Sequence, residues 1–158
     1  MIPERLVSGA QTGVDRAALD AALEAGIPCG GIVPKGRRAE DGRIPERYPV
    51  EECESPDYAQ RTGLNVLHSD ATLILNRGEL DGGTLATAEF CRRHDKPYCL
   101  VQLDQASAEQ ASASVRNFLA KARPRTLNVA GPRESKSPGI HQASLEVLRL
   151  VFKGGIES

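Results

Sequence analysis

Residues 5–16 read Arg-Leu-Val-Ser-Gly-Ala-Gln-Thr-Gly-Val-Asp-Arg. A short apolar strand runs into a turn with glycines at 9 and 13, and the turn opens an alanine-rich helix. Backbone N–H groups at a helix start have no intrahelical acceptor and carry the positive end of the helix dipole, so a strand–glycine turn–helix unit predicts an oxyanion site. The motif is neither GxGxxG nor GxxxxGK[ST], so it meets neither the dinucleotide fingerprint nor the P-loop.

The same unit recurs outward along the chain. Short apolar runs at 5–8, 30–33, 71–76, 98–104 and 127–130 alternate with helical stretches. Such alternation predicts a Rossmann-like, doubly wound α/β domain: a parallel sheet of about five strands with helices on both faces. At 158 residues, with 40% hydrophobic and 26% charged residues, the chain is expected to form one domain over 1–158. No linker, repeat or low-complexity tract divides it.

Several helix ends are readable. Gly26 and Pro28 close the first helix, and Thr12 with Asp15 has capping-box spacing. Ser55-Pro56 and Ser137-Pro138 each suggest an N-cap followed by proline at N1. Ser107 with Gln110 predicts a helix from about Ala108 to Ala122, stopped before Pro124. The punctuated, highly charged segment 34–55 reads as a long functional loop. With strand order 2-1-3-4-5, the switch in winding would fall between strands one and three, bringing the loops Gly9 to Gly13 and Arg77 to Thr84 together.

Gly9 and Gly13 would allow close backbone approach, Ala10 lies between them, Gln11 offers an amide, and Thr12 offers a hydroxyl or an ordinary cap. After the second strand, where a nicotinamide-binding fold usually carries an acid, this chain has Lys35, Arg37 and Arg38. These could add charge to an anion site or form a solvated basic loop. Gly82, Gly83 and Thr84 offer a second amide cradle, with Glu89 further along that helix as a base or an exposed carboxylate. Arg133, in the turn after the fifth strand, could close over a bound anion.

Other chemistries find little support. His68, His94 and His141 lack metal-ligand spacing, so no protein-ligated metal is expected. No cysteine or serine stands in a nucleophile context. Cys29, Cys53, Cys91 and Cys99 are widely spaced and fit a reduced, cytoplasmic protein. No apolar run nears the roughly 18 residues of a membrane span. A net charge of −1 and 4% aromatics leave few means of holding nucleic acid.

The segments Ser8 to Arg16, Pro34 to Gly42 (Pro-Lys-Gly-Arg-Arg-Ala-Glu-Asp-Gly) and Asn128 to Lys136 (Asn-Val-Ala-Gly-Pro-Arg-Glu-Ser-Lys) together resemble the molybdenum carrier family. That family is similar to Rossmann-like proteins that include the lysine-decarboxylase-like phosphoribohydrolases and the DNA-processing protein DprA. The resemblance extends over nearly the whole chain. It implies self-association into a homo-oligomer and binding of molybdenum cofactor or another phosphorylated pterin or nucleotide. The implied contacts are Gly9, Gln11, Thr12 and Gly13, then Lys35, Arg37 and Arg38, then Gly82, Gly83 and Thr84. Ala10 stands where the family commonly has glycine. Gly82, Gly83 and Glu89 match the phosphoribohydrolase motif, but Leu85 and Ala86 replace its inner Gly-Thr. A carrier of a small phosphorylated ligand is therefore expected, with a phosphoribohydrolase-like enzyme using Glu89 as the alternative.

Overall fold

The computed structural model describes residues 1–157. Its main sheet contains β1 (Arg5–Val7), β2 (Cys29–Gly30), β7 (Ala71–Asn76), β8 (Tyr98–Gln102) and β9 (Thr126–Ala130), all parallel. The expected five-stranded α/β architecture is present. Helices α1 (Val14–Ala25), α4 (Ala108–Ala122) and α5 (Ile140–Glu157) pack together. A separate pair is formed by α2 (Tyr58–Leu67) and α3 (Gly82–Arg93).

Two strands carry the centre. Leu73, Ile74 and Leu75 of β7 and Leu127 and Val129 of β9 are completely buried, as expected where both faces of a parallel sheet are covered. Each such side chain contributes roughly 1.5–3 kcal/mol by leaving water. Asn128 lies opposite Thr72 in the β7–β9 register, and its amide donates to the threonine hydroxyl at 3.2 Å.

The strand order is β2-β1-β9-β7-β8, which corrects the order 2-1-3-4-5. The last strand inserts between the first and third apolar runs. Continuous apolar strands are interchangeable to the eye, because the pattern records burial on both faces but not the neighbour. The winding therefore reverses between β9, which leads into α5, and β7, which leads into α3 on the other side. The loop after β9 moves from the periphery to the middle of the crevice.

Local readings fare unevenly. Helix α4 spans the predicted residues, and the Ser107–Gln110 capping box forms reciprocally. Gly26 ends α1 in a left-handed conformation. Helix α2 is capped by Asp57 rather than Ser55. Helix α5 begins at Ile140, where the Glu134 carboxylate accepts from the amides of Gly139 and His141 instead of Ser137 providing the cap. The run 30–33 splits at Gly31: β2 joins the main sheet, and β3 (Ile32–Val33) pairs with β6 (Glu51–Glu52).

The segment 34–55 is ordered around one cation. Arg37 is buried and donates to the carbonyls of Ile44, Pro45 and Tyr48 at 3.1, 2.7 and 3.2 Å. The short hairpin of β4 (Arg38–Ala39) and β5 (Gly42–Arg43) bonds to the turn after β1 and to the start of α1. Its Asp41 forms a paired salt bridge with Arg16 of α1, one arm measuring 2.8 Å.

Candidate functional site

A cleft of about 390 Å³ opens where the turns after β1, β7 and β9 meet the start of α2. Its lining includes Gln11 and Asp15 from the first turn and helix, Tyr58 and Arg61 from α2, Gly82 to Thr84 at the start of α3, and Gly131 to Arg133 with Lys136 after β9.

In the first turn the amides of Gly9, Thr12 and Gly13 have no acceptor among the described residues, whereas those of Ala10, Gln11 and Val14 are taken up within the chain. Ala10 N–H donates to Ser8 Oγ, Gln11 N–H to Asp15 Oδ2 at 3.3 Å, and Val14 N–H to Pro132 O at 3.3 Å. Their hydrogens are directed into the chain. The glycines serve close packing: a methyl at Gly9 would overlap the Arg61 guanidinium, and one at Gly13 would overlap the Pro132 carbonyl. Ala10 is wholly buried. Thr12 is not a cap; its hydroxyl donates to Glu40 and accepts from Glu134 N–H. Only Gln11 of this predicted group lines the cleft.

The second cradle is available. Asp81 is the N-cap of α3 but its side chain makes no capping bond, unlike Asp57 and Ser107 on α2 and α4. Among the described residues no hydrogen bond uses the amides of Gly82, Gly83 or Thr84. Those three residues line the cleft. The first amides of a helix have no intrahelical acceptor, so these donors are left for groups outside the chain.

Positive charge gathers around Tyr58. The guanidinium carbons of Arg133, Arg38 and Arg61 lie 4.7, 5.1 and 5.9 Å from the centre of the Tyr58 ring. Among the described residues, neither Arg38 nor Arg133 has a carboxylate partner. Arg61 alone is paired, with Nη1 3.5 Å from Asp15 Oδ2. Burial pushes the Asp15 carboxyl above its usual range, and Arg61, the Gln11 amide and Arg133 offset this only in part. Lys136 approaches Asp81 at 3.3 Å on the rim.

Glu40 ties three loops together. Its carboxylate accepts from the hydroxyls of Thr12 and Ser135, joining the hairpin, the first turn and the turn after β9. Burial opposes ionisation there, but these donors and Arg133 hold the Glu40 carboxyl below its usual range.

Other predicted site residues lie elsewhere. Arg37 is engaged by four backbone carbonyls, those of Ile44, Pro45, Tyr48 and Val50, so it is not available to a ligand. Lys35 belongs to a shallow surface depression with Glu52, Cys53 and Glu54. Arg38 reaches only the cleft's edge, over Tyr58. Glu89 is exposed on α3 and does not line the cleft. Among the described residues, no three His, Cys, Asp or Glu side chains assemble as a metal-ligand group. No helix there is long and apolar enough to cross a membrane.

Sequence reasoning missed Tyr58, Arg61 and Lys136. The first two are spaced i, i+3 and share a helix face. That tyrosine–arginine pair in a protein with 4% aromatics was the available signal.

Residues 6–152 match the model of the family described as "Circularly permutated YpsA SLOG family". The chain is also similar to the crystal structure of a "Putative molybdenum carrier protein" from Syntrophus aciditrophicus SB. The two are 45% identical, with 95% of this chain and 94% of that chain covered and a TM-score of 0.92. No curated protein matches this chain.

Proposed function

Since this chain belongs to the circularly permutated YpsA SLOG family, we propose that it is a carrier whose cleft holds a small phosphorylated ligand. The ligand class is molybdenum cofactor or a related phosphorylated pterin or nucleotide, carried as cargo. This extends to the present chain what the name of its 45% identical structural relative says of that protein.

The observation that carries the reading is an imbalance of donors and anions within one cleft. Three unclaimed amides at the start of α3 share the cleft with the guanidiniums of Arg61 and Arg133, with Arg38 at its edge, and Asp15 is the only carboxylate paired with any of those guanidiniums among the described residues. A phosphate brings several acceptor oxygens and negative charge to both sides at once. The proposed contacts are the amides of Gly82, Gly83 and Thr84, the side chains of Arg61, Arg133 and Lys136, and Gln11 on the floor. Gly9, Ala10, Thr12 and Gly13 shape that floor rather than touch the ligand. Arg38 adds long-range attraction.

A homo-oligomer in the cytoplasm belongs to the same proposal. The outer strand β8 leaves Leu100 39% exposed, an apolar edge position that a second copy could cover. The phosphoribohydrolase alternative gains nothing from the geometry, because Glu89 lies outside the cleft.

Native mass spectrometry of the purified protein should detect a phosphorylated small molecule that leaves on acid denaturation. Calorimetry should then show binding of that molecule, and inorganic phosphate should compete with it. Absence of binding by molybdenum cofactor, pterin phosphates and nucleoside monophosphates, with the protein folded, would overturn the proposal.

A further inference from the structure

Three arginines that are far apart in the sequence meet over one ring. The guanidinium carbons of Arg133, Arg38 and Arg61 lie 4.7, 5.1 and 5.9 Å from the centre of Tyr58, all within the range of a cation–π contact. Tyr48, Phe90 and Tyr98 each have a single arginine over them. Like charges gathered this closely repel one another, and the electron-rich faces of the ring offset part of that cost.

The backbone that carries the ring is anchored. Tyr58 is the first residue of α2, where the Asp57 side chain accepts from Ala59 N–H at 2.9 Å and the Tyr58 carbonyl accepts from the Thr62 hydroxyl at 2.9 Å. Among the described residues the Tyr58 hydroxyl makes no hydrogen bond, which leaves the faces of the ring as the part its neighbours use.

The kind of partner decides what an arginine can still do. A carboxylate takes up N–H groups at the edge of the guanidinium, as Asp41 does for Arg16 and Glu24 for Arg149. Backbone carbonyls do the same to Arg37. An aromatic ring attracts the positive charge without supplying an oxygen, so the five N–H donors stay open to another acceptor. Among the described residues neither Arg38 nor Arg133 donates a hydrogen bond from its side chain, and Arg133 lines the cleft with Tyr58 and Arg61.

We infer that Tyr58 is a positioning residue whose ring gathers Arg38, Arg61 and Arg133 at the cleft and its edge, so that an entering oxyanion meets guanidinium donors already in place. This rests on the anion-cleft reading and assigns the preorganisation of its cations to the ring's electron-rich faces, rather than to its hydroxyl or its bulk. Groups ordered before the ligand arrives need not be ordered by it, which is where the gain in affinity comes from.

The test changes the electrons of the ring at constant shape. Tyr58→Phe keeps the faces and removes the hydroxyl, and pentafluorophenylalanine at the same position keeps the shape while its fluorines drain negative charge from the faces. Binding of inorganic phosphate to the full chain is followed through the side-chain N–H resonances of its arginines. Tyr58→Phe binds within about 2-fold of wild type, whereas the fluorinated form binds about 10-fold more weakly, the scale of one charge-assisted contact. Equal binding by these two forms overturns the inference, whether both keep their affinity, as bulk alone would give, or both lose it, as a hydroxyl contact would give. The anion cleft stands in either case. In the wild-type protein the side-chain protons of Arg38 and Arg133 resonate upfield of those of an exposed arginine, because the ring current shields protons over its faces. Ordinary positions for them overturn the inference even if the fluorinated form does not fold. Failure of folded wild-type protein to bind inorganic phosphate removes the anion-cleft reading and this inference with it.

Discussion

Arg61 reaches Asp15 by crossing directly over Gly9, with Nη1 3.5 Å from the Asp15 carboxylate, in the space a side chain at position 9 would occupy. The glycine reserves room for a guanidinium rather than for a ligand. The first atom met by a methyl at Gly9 is the end of a flexible side chain, so Gly9→Ala should displace Arg61 while preserving the fold. Phosphate-ligand affinity is expected to fall about 10-fold or more, the scale of losing one charge-assisted contact. Calorimetry beside far-UV circular dichroism checks this; unchanged affinity would show that Arg61 does not serve the cleft.

Arg133 should behave as a residue kept for binding. It repels Arg61 and has no carboxylate partner among the described residues, and its packing on Tyr58 is modest compensation. Arg133→Ala should leave unfolding free energy within about 0.5 kcal/mol of wild type or raise it. Ligand affinity should fall about 10-fold and become less sensitive to added salt. Urea denaturation and calorimetry at two salt concentrations measure both effects.

Gly13 presents the opposite case. Its φ is +82°, and a methyl there would strike the backbone carbonyl of Pro132, which cannot rotate away. Gly13→Ala should cost at least about 2 kcal/mol, against about 1 kcal/mol for Gly26→Ala, where φ is also positive but the surrounding space is empty. Urea midpoints of the two variants give the comparison, and equal losses would contradict the close approach of the two turns.

Acid should loosen the loops around the first turn and the start of α5. The hydrogen bond from Arg16 holds the Asp41 carboxyl below its usual range, and the amides of Gly139 and His141 do the same for Glu134 despite some burial. A lowered folded-state value means stability that is present above the ordinary carboxylate range, about pH 4, and is lost as pH falls below it. Asp15 works against this trend, because burial raises its value: its contribution is full in acid and lost as pH rises through that raised value. The urea midpoint should fall between pH 6 and pH 3, and Asp41→Asn should make that fall shallower.

Much of the architecture was legible in the residues. Strand β7 and helix α4 occupy the expected ranges because unbroken apolar runs and reciprocal caps are local signals. The neighbour of each strand was not legible, since β1, β7 and β9 share one pattern of burial. Gly82 to Thr84 and Arg133, picked out in the sequence as an anion site, do line the cleft. Arg37 misled because the carbonyls that occupy it lie in residues 44 to 50, and a cation's partners cannot be read from its own surroundings. Arg61 escaped because a charge inside a helix ordinarily reads as a solvated face.

The central position of β9 sets an order on biosynthesis. Until residues 126–130 have emerged from the ribosome, β1 with β2 and β7 with β8 are two half-sheets, each lacking the strand that joins them. Both halves then expose hydrogen-bonding edges during translation, a period in which pairing with another nascent chain competes with self-closure. The keystone arrives late, and the crevice between the halves exists only once it is seated.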